Sequence, residues 1–174
     1  MKQSKHNVAE PEAVRWLASP LGTLRIQASN AGITHVAFSQ GCSARAPLNR
    51  GYHLHNQAHH WLDQLEQQLH EYFHQQANFF QIPLAPQGTP FQQQVWQQLQ
   101  AIPHGETRSY GQLAAAVGKP KGAQAVGQAN GANPIAIVIP CHRVIQGDGS
   151  LGGYAGGLER KQWLLTHEQI DQKQ

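Results

Sequence analysis

Apolar and polar positions change their rhythm part-way along the chain, and the change divides it. Between Val14 and Ser39 they alternate in short runs, Val14-Arg15-Trp16-Leu17, Thr23-Leu24-Arg25-Ile26 and Ile33-Thr34-His35-Val36-Ala37-Phe38. Gly22 and Asn30-Ala31-Gly32 separate the runs and supply turns, so an antiparallel sheet is expected to open the chain. A polar loop is expected over residues 40–56. Beyond it Ala58, Trp61, Leu62, Leu65, Leu69, Tyr72 and Phe73 recur at helical spacing, giving an amphipathic helix that can cover the sheet. Residues 83–90 are rich in proline and mark the expected boundary between a supporting α+β unit, 1–85, and a second unit, 86–174.

The second unit reads as mostly helical. Thr89-Pro90-Phe91-Gln92 combines an N-cap, proline at the first helical position and glutamine at the capping-box position, with Phe91, Val95 and Leu99 on one face. Ser109-Tyr110-Gly111-Gln112 repeats the capping box and opens a helix that ends near Gly118. A third short helix is expected from about Lys121 to Ala129, and the Gly-Lys-Pro turn before it gives the spacing of a helix-turn-helix. The run Ile135 to Ile139 reads as an apolar strand leaving the core. After it come Pro140-Cys141-His142-Arg143-Val144-Ile145, a turn at Gly147-Asp148-Gly149, a glycine-rich loop and a last helix with Trp163, Leu164 and Leu165. The expected fold class is α+β: a small N-terminal antiparallel sheet with a covering helix, then a mostly helical unit with a helix-turn-helix.

Composition narrows the compartment and the partners. No run approaches the about 20 apolar residues of a membrane span, and the opening residues are polar, so a cytoplasmic protein without a membrane partner is expected. A net charge of +3 and a pI near 9.0 permit a polyanionic partner. Between His104 and Lys161 the basic residues Arg108, Lys119, Lys121, Arg143, Arg160 and Lys161 are opposed only by Glu106, Asp148 and Glu159. His55 with His59, and His70 with His74, stand at helical i, i+4 spacing, but neither pair has a cysteine or carboxylate at familiar ligand spacing, so no metal site is expected. The two cysteines, Cys42 and Cys141, stand in a chain without a secretory signal, which favours a free thiol over a disulfide.

Cys141 has the neighbours that chemistry needs. The thiolate is the reacting species, and a reference pKa of about 8.5 means that a thiol needs help near neutral pH. His142 is the candidate base, although adjacent side chains along a strand face opposite ways, so contact requires a bridging water. Glu168, on the last helix, can orient the imidazole and complete a Cys-His-Glu arrangement. On the residues alone, a buried structural cysteine stands as the alternative.

The segment Ile139-Pro140-Cys141-His142-Arg143-Val144-Ile145 resembles the active-site signature of the O6-alkylguanine-DNA alkyltransferases, the methylated-DNA-protein-cysteine methyltransferases. The resemblance continues, in order and at matching spacing, through Gly105-Glu106-Thr107-Arg108-Ser109-Tyr110, Ala125-Val126-Gly127, Asn133-Pro134, Gly153-Tyr154-Ala155-Gly156-Gly157-Leu158 and Lys161-Gln162-Trp163-Leu164-Leu165-Thr166-His167-Glu168. It implies single-turnover DNA repair: transfer of the alkyl group from O6-alkylguanine, with O4-alkylthymine as a second substrate, to Cys141. It implies that His142 is a water-mediated base oriented by Glu168, that Asn133 braces the turn, and that Tyr110 contacts the departing guanine. It places Val144, Tyr154, Ala155, Gly156 and Lys161 at the base. The implied partner is double-stranded DNA, met at the minor groove by a monomer, with no cofactor and no metal. Ala123, Ala125 and Gly127 would let the backbone approach closely, with Lys121 and Arg108 nearby, and the damaged nucleotide would be flipped out of the stack.

One position departs from the family pattern. Where these proteins usually carry an arginine that fills the gap left by the flipped base, this chain has Gln124, which is shorter and uncharged. Three other readings stand beside repair. A damage-recognition protein of the alkyltransferase-like kind lacks the acceptor cysteine that is present here. A cysteine hydrolase needs an oxyanion hole. A transcriptional regulator needs longer polar readers on its recognition helix.

Overall fold

The computed structural model of the chain describes residues 13–39 and 57–169; the expected polar loop, Cys42 and His55 lie outside them. The alternating runs form an antiparallel meander of β1 (Ala13–Ser19), β2 (Gly22–Ser29) and β3 (Gly32–Phe38), in the order β1-β2-β3. Leu24, Ile26 and Ala28, two apart along β2, are fully buried, as period-2 alternation requires of a sheet with one covered face. The cover is α1 (Gln57–Phe73), which buries Ala58, Leu62, Leu65, Leu69 and Tyr72. Arg15 of β1 reaches across to Asp63 at 2.8 Å and Glu66 at 2.6 Å of the same helix.

The outer edge of β3 does not face water. Ile33 exchanges backbone hydrogen bonds with Pro83 and Ala85, and Val36 does so with Pro134 and Ala136. The proline-rich connection and one stretch of the second half thus finish the sheet, removing the unpaired edge that would otherwise invite association. The first approach requires glycine: at Gly32, with φ of +147°, a Cβ would lie 2.4 Å from the carbonyl oxygen of Pro83. The proline-rich stretch is therefore packed structure as well as a connection.

The second half starts from its two capping boxes. Thr89 and Gln92 satisfy each other's backbone N–H at the head of α2 (Pro90–Gln100), and Ser109 and Gln112 do the same for α3 (Tyr110–Ala116). Val95, Trp96 and Leu99 are the buried face of α2, and the indole of Trp96 donates to the carbonyl of Ala129 at 2.8 Å. The third helix, α4 (Ala123–Gly131), begins after Lys121, because Gly122 closes a turn onto the carbonyl of Lys119 and serves as the N-cap. Two-residue strands β4 (Arg108–Ser109) and β5 (Val144–Ile145) pair in parallel, and α5 (Leu158–His167) closes the fold. Glu168 is the C-cap of α5.

The expected strand over residues 135–139 is not formed. Ile135 alone pairs, with Val36, and the chain then winds through tight turns in which Val138 N–H donates to Ala136 and Ile139 N–H to Ile135. Ile135, Ile137, Val138 and Ile139 are all buried. A short apolar run that is enclosed on every side carries no period, so its β-branched composition misreads as strand. The class is α+β, and among the described residues no helix is long and apolar enough to cross a membrane.

Candidate active site

Those turns deliver Cys141. Ile137 sits at φ of +71°, a conformation that β-branched residues rarely adopt, immediately ahead of the Pro140-Cys141 step. Asn133 holds the winding from within: its amide donates to the carbonyl of Ile139 at 2.8 Å, and its oxygen accepts from the backbone N–H of Ile135 at 3.0 Å. Cys141 opens a 3-10 turn, Cys141–Arg143, so it and His142 do not alternate across a strand as expected. The thiol is free and 6% exposed. Burial pushes its pKa up, opposed by a hydrogen bond from Asn133, the positive charge of Lys161 and the nearby backbone N–H groups.

His142 and Glu168 meet in the interior. The His142 Nε2 to Glu168 Oε1 distance is 2.8 Å, and both side chains are closed to solvent. A carboxylate only accepts, so Nε2 carries the proton. Burial lowers the pKa of the imidazole more than Glu168 raises it, which keeps the ring neutral and Nδ1 bare. That Nδ1 is buried and has no hydrogen-bond partner in the protein.

Glu168 is held from three sides. Arg143 donates from Nε to Oε2 at 2.7 Å and from Nη2 to Oε1 at 3.0 Å, while its Nη1 donates to the carbonyl of Ile102. The Tyr72 hydroxyl donates to Oε1 at 2.8 Å. Burial would raise the carboxyl pKa, but the hydrogen bonds and charges of His142 and Arg143 outweigh it and hold the group well below the usual carboxylate range. Sequence reasoning did not assign Tyr72 or Arg143 to the site. Tyr72 reads as one more apolar position of α1, and no local signal links it to a residue 96 positions away.

A cavity of about 500 Å³ opens onto Cys141. Of the anticipated residues, Tyr110, Ala123, Gln124, Gly127, Asn133, Tyr154, Ala155 and Gly156 line it, beside Gly131 and Gly153; Asn130, Ala136 and Gln146 line it without having been anticipated. Burial raises the pKa of the Tyr110 and Tyr154 phenols, and the nearby Cys141 adds to the effect, so both stay protonated. At Gly156 a Cβ would lie 2.7 Å from the Tyr154 ring and 2.8 Å from the Phe38 ring. Arg160 ties this wall to the sheet, donating to the carbonyls of Leu21 and Gly156 and lying over Phe38.

Lys161 does not line the cavity. It is wholly buried behind the wall, where its ammonium donates to the carbonyls of Val144, Leu151 and Gly153, and burial lowers its pKa to about 8. Val144, Lys121, Ala125 and Arg108 also lie outside the lining. The basic surface is smaller than the sequence count implies: Arg143 and Lys161 are internal and Arg160 is half-buried, leaving Arg108, Lys119 and Lys121 exposed. Arg108 is 3.8 Å from Glu106, and Lys119 lies over the Phe91 ring. Among the described residues no group of three or more His, Cys, Asp or Glu gathers to hold a metal ion.

A helix-turn-helix beside a cavity floored by a braced thiol defines a DNA-binding protein with cysteine chemistry. Residues 90–170 match the 6-O-methylguanine DNA methyltransferase, DNA binding domain, and residues 14–86 match the ribonuclease-like domain of the same proteins. The methylated-DNA--protein-cysteine methyltransferase of Methanosarcina barkeri is 42% identical over 153 residues, covering 88% of this chain and 94% of that one. The constitutive enzyme of Bacillus subtilis is 53% identical over 114 residues, 65% of this chain and 69% of that one. The structure of Mycobacterium tuberculosis OGT in complex with DNA superposes with a TM-score of 0.76 at 40% identity, covering 89% of this chain and 91% of that one. The chain belongs to the methylated-DNA–protein-cysteine methyltransferase family.

Proposed function

We propose that this chain repairs DNA by transferring the alkyl group from O6 of a damaged guanine to the sulfur of Cys141, each molecule acting once. The observation that carries the reading is the free thiol at the foot of the cavity, braced by Asn133 and followed by a neutral imidazole whose Nδ1 has no protein partner. The lesion enters the cavity flipped from the stack. His142 Nδ1 takes the thiol proton through a bridging water, and Glu168 steadies the imidazolium that forms. The thiolate attacks the alkyl carbon in line; the S–C bond forms as the C–O6 bond breaks, and its electron pair leaves with guanine. Tyr110 donates a hydrogen bond to the departing base, and the carbonyl of Val144, with an acceptor site to spare beyond Lys161, recognises it. A thioether remains, and nothing regenerates the thiol.

Residues 86–174 form the DNA-binding and catalytic unit in this reading, and 1–85 the supporting one. Ala123, Ala125 and Gly127 face the minor groove, where small side chains let the duplex come close, and Arg108 and Lys121 neutralise phosphates. Gln124, exposed on the first turn of α4 at the cavity mouth, takes the place vacated by the base. O4-alkylthymine is a second substrate of the same pocket, and the protein works in the cytoplasm as a monomer. Intact-protein mass spectrometry after incubation with a duplex containing one O6-methylguanine tests the proposal. One stoichiometric methylene gain, absent in Cys141→Ala, is expected. Tight binding with no mass change would instead make the chain a damage-recognition protein.

A further inference from the structure

We infer that the last turn of α1 clamps the catalytic relay, with Tyr72 as a positioning residue for the His142–Glu168 pair; this rests on the alkyl-transfer reading above. Tyr72 is 2% exposed and belongs to the helix that covers the N-terminal sheet, yet its hydroxyl is spent on the carboxylate oxygen that receives His142 Nε2. Two further hydrogen bonds fix the same junction. The His167 ring Nε2 meets the carbonyl of Tyr72 at 2.8 Å, and the Gln75 amide donates to the carbonyl of His167 at 3.3 Å. Tyr72, Gln75, His167 and Glu168 therefore form one latch between the end of α1 and the end of α5.

The latch acts on the atom that matters to the base. Glu168 follows the last residue of α5, and the chain turns away at Gln169, with φ of +59°, so the helix alone does not fix the carboxylate. Oε1 accepts from Tyr72, His142 and Arg143 together. Each donor withdraws charge from that oxygen. Without the hydroxyl it would pull harder on the Nε2 proton and raise the affinity of His142 for a second proton. The other charged and titratable groups facing the pair are Arg143, Lys161, Cys141, His104, His167 and Tyr154. Replacing Tyr72 by phenylalanine removes one donor to Oε1 while sparing both the ion pair and the cavity lining. Burial and the adjacent carboxylate push the pKa of its phenol up, so it is protonated and donates at neutral pH.

Single-turnover transfer from an O6-methylguanine duplex, measured across pH for the full chain and for Tyr72→Phe, tests the clamp. The phenyl ring preserves the packing against Phe73, Phe80 and His167. The expected result is a transfer rate about tenfold lower at neutral pH, an acid limb displaced to higher pH, and unchanged affinity for undamaged duplex. A wild-type rate and pH profile would overturn the inference, whatever happens to the melting temperature. If Tyr72→Phe does not fold, the exposed Gln75→Ala reads the same latch: a severalfold slower rate with the same displacement supports it, and an unaltered profile overturns it. Failure of the function is separable. A wild-type chain that takes up no methyl group overturns alkyl transfer, while the His142 titration followed by NMR still reports the clamp, moving upward in Tyr72→Phe if it holds and staying put if it does not.

Discussion

Arg143 grips Glu168 with two hydrogen bonds, Nε to Oε2 at 2.7 Å and Nη2 to Oε1 at 3.0 Å, in surroundings closed to water. A buried charge that loses its partner is far more costly than the pair is favourable. Glu168→Gln is therefore expected to lower stability by about 3–5 kcal/mol in chemical denaturation, and an unchanged midpoint would show that the ion pair contributes nothing. The pH dependence has a definite sign. The folded pKa of Glu168 lies below its ordinary 4.5, so its stabilisation is complete above pH 4.5 and is lost as the pH falls further. The wild type should weaken across that range more steeply than the glutamine variant.

His142 titrates below its ordinary 6.5, because burial outweighs the attraction of Glu168. The imidazole is then already a free base at pH 6.5, and the acid limb of the transfer rate falls below that value. The same shift makes this group's stability contribution full above pH 6.5 and lost as the pH falls through the lowered value. Single-turnover rates between about pH 5 and 8 check it; a limb centred at or above 6.5 would mean that the attraction of Glu168 outweighs burial.

The signals that were legible in the sequence are local ones. Thr89 with Gln92 and Ser109 with Gln112 begin helices where the residues say they must, because a capping box is completed within four positions. The period-2 runs of β2 and β3 and the helical spacing of α1 were equally readable. What was hidden depends on distant partners. Nothing local marks Arg143 and Lys161 as buried, because isolated charges do not survive burial; the groups that permit their burial, Glu168 and the carbonyls of Val144, Leu151 and Gly153, meet them only in the folded chain. The pairing of β4 with β5 is two residues long, too short to leave a pattern.

Lys161 is the tie behind the cavity wall. Lys161→Met is expected to leave the carbonyls of Val144, Leu151 and Gly153 without their donor, lowering stability by about 2–4 kcal/mol and slowing transfer at least tenfold. Thermal melts and single-turnover rates report the two effects, and a wild-type rate would show that the wall holds its shape unaided.

Gln124 stands at the mouth of the cavity without the charge that would meet a phosphate or the broad cationic guanidinium that would stack on a base. Gln124→Arg should raise the repair rate on duplex DNA and leave the rate on free O6-alkylguanine base unaltered. Equal rates on the duplex before and after the change would remove any role for this side chain in opening the helix.

Gly32 is where the linker presses on the sheet. Gly32→Ala drives a methyl group toward the Pro83 carbonyl, at 2.4 Å, from a backbone conformation that alanine avoids. A loss of more than about 1 kcal/mol is expected, and a neutral result in urea titration would mean that the linker can lift away.

Because Val36 is bonded to residues on either side of Ile135, the last edge of the N-terminal sheet is completed by the stretch that winds down to the thiol. The two halves should accordingly melt in a single cooperative transition. Severing them would leave one with a bare strand and the other with an unanchored nucleophile. Mutational sensitivity of repair should therefore extend well beyond the cavity: a lesion in β3 that never approaches DNA would be scored in a cell as lost alkylation resistance.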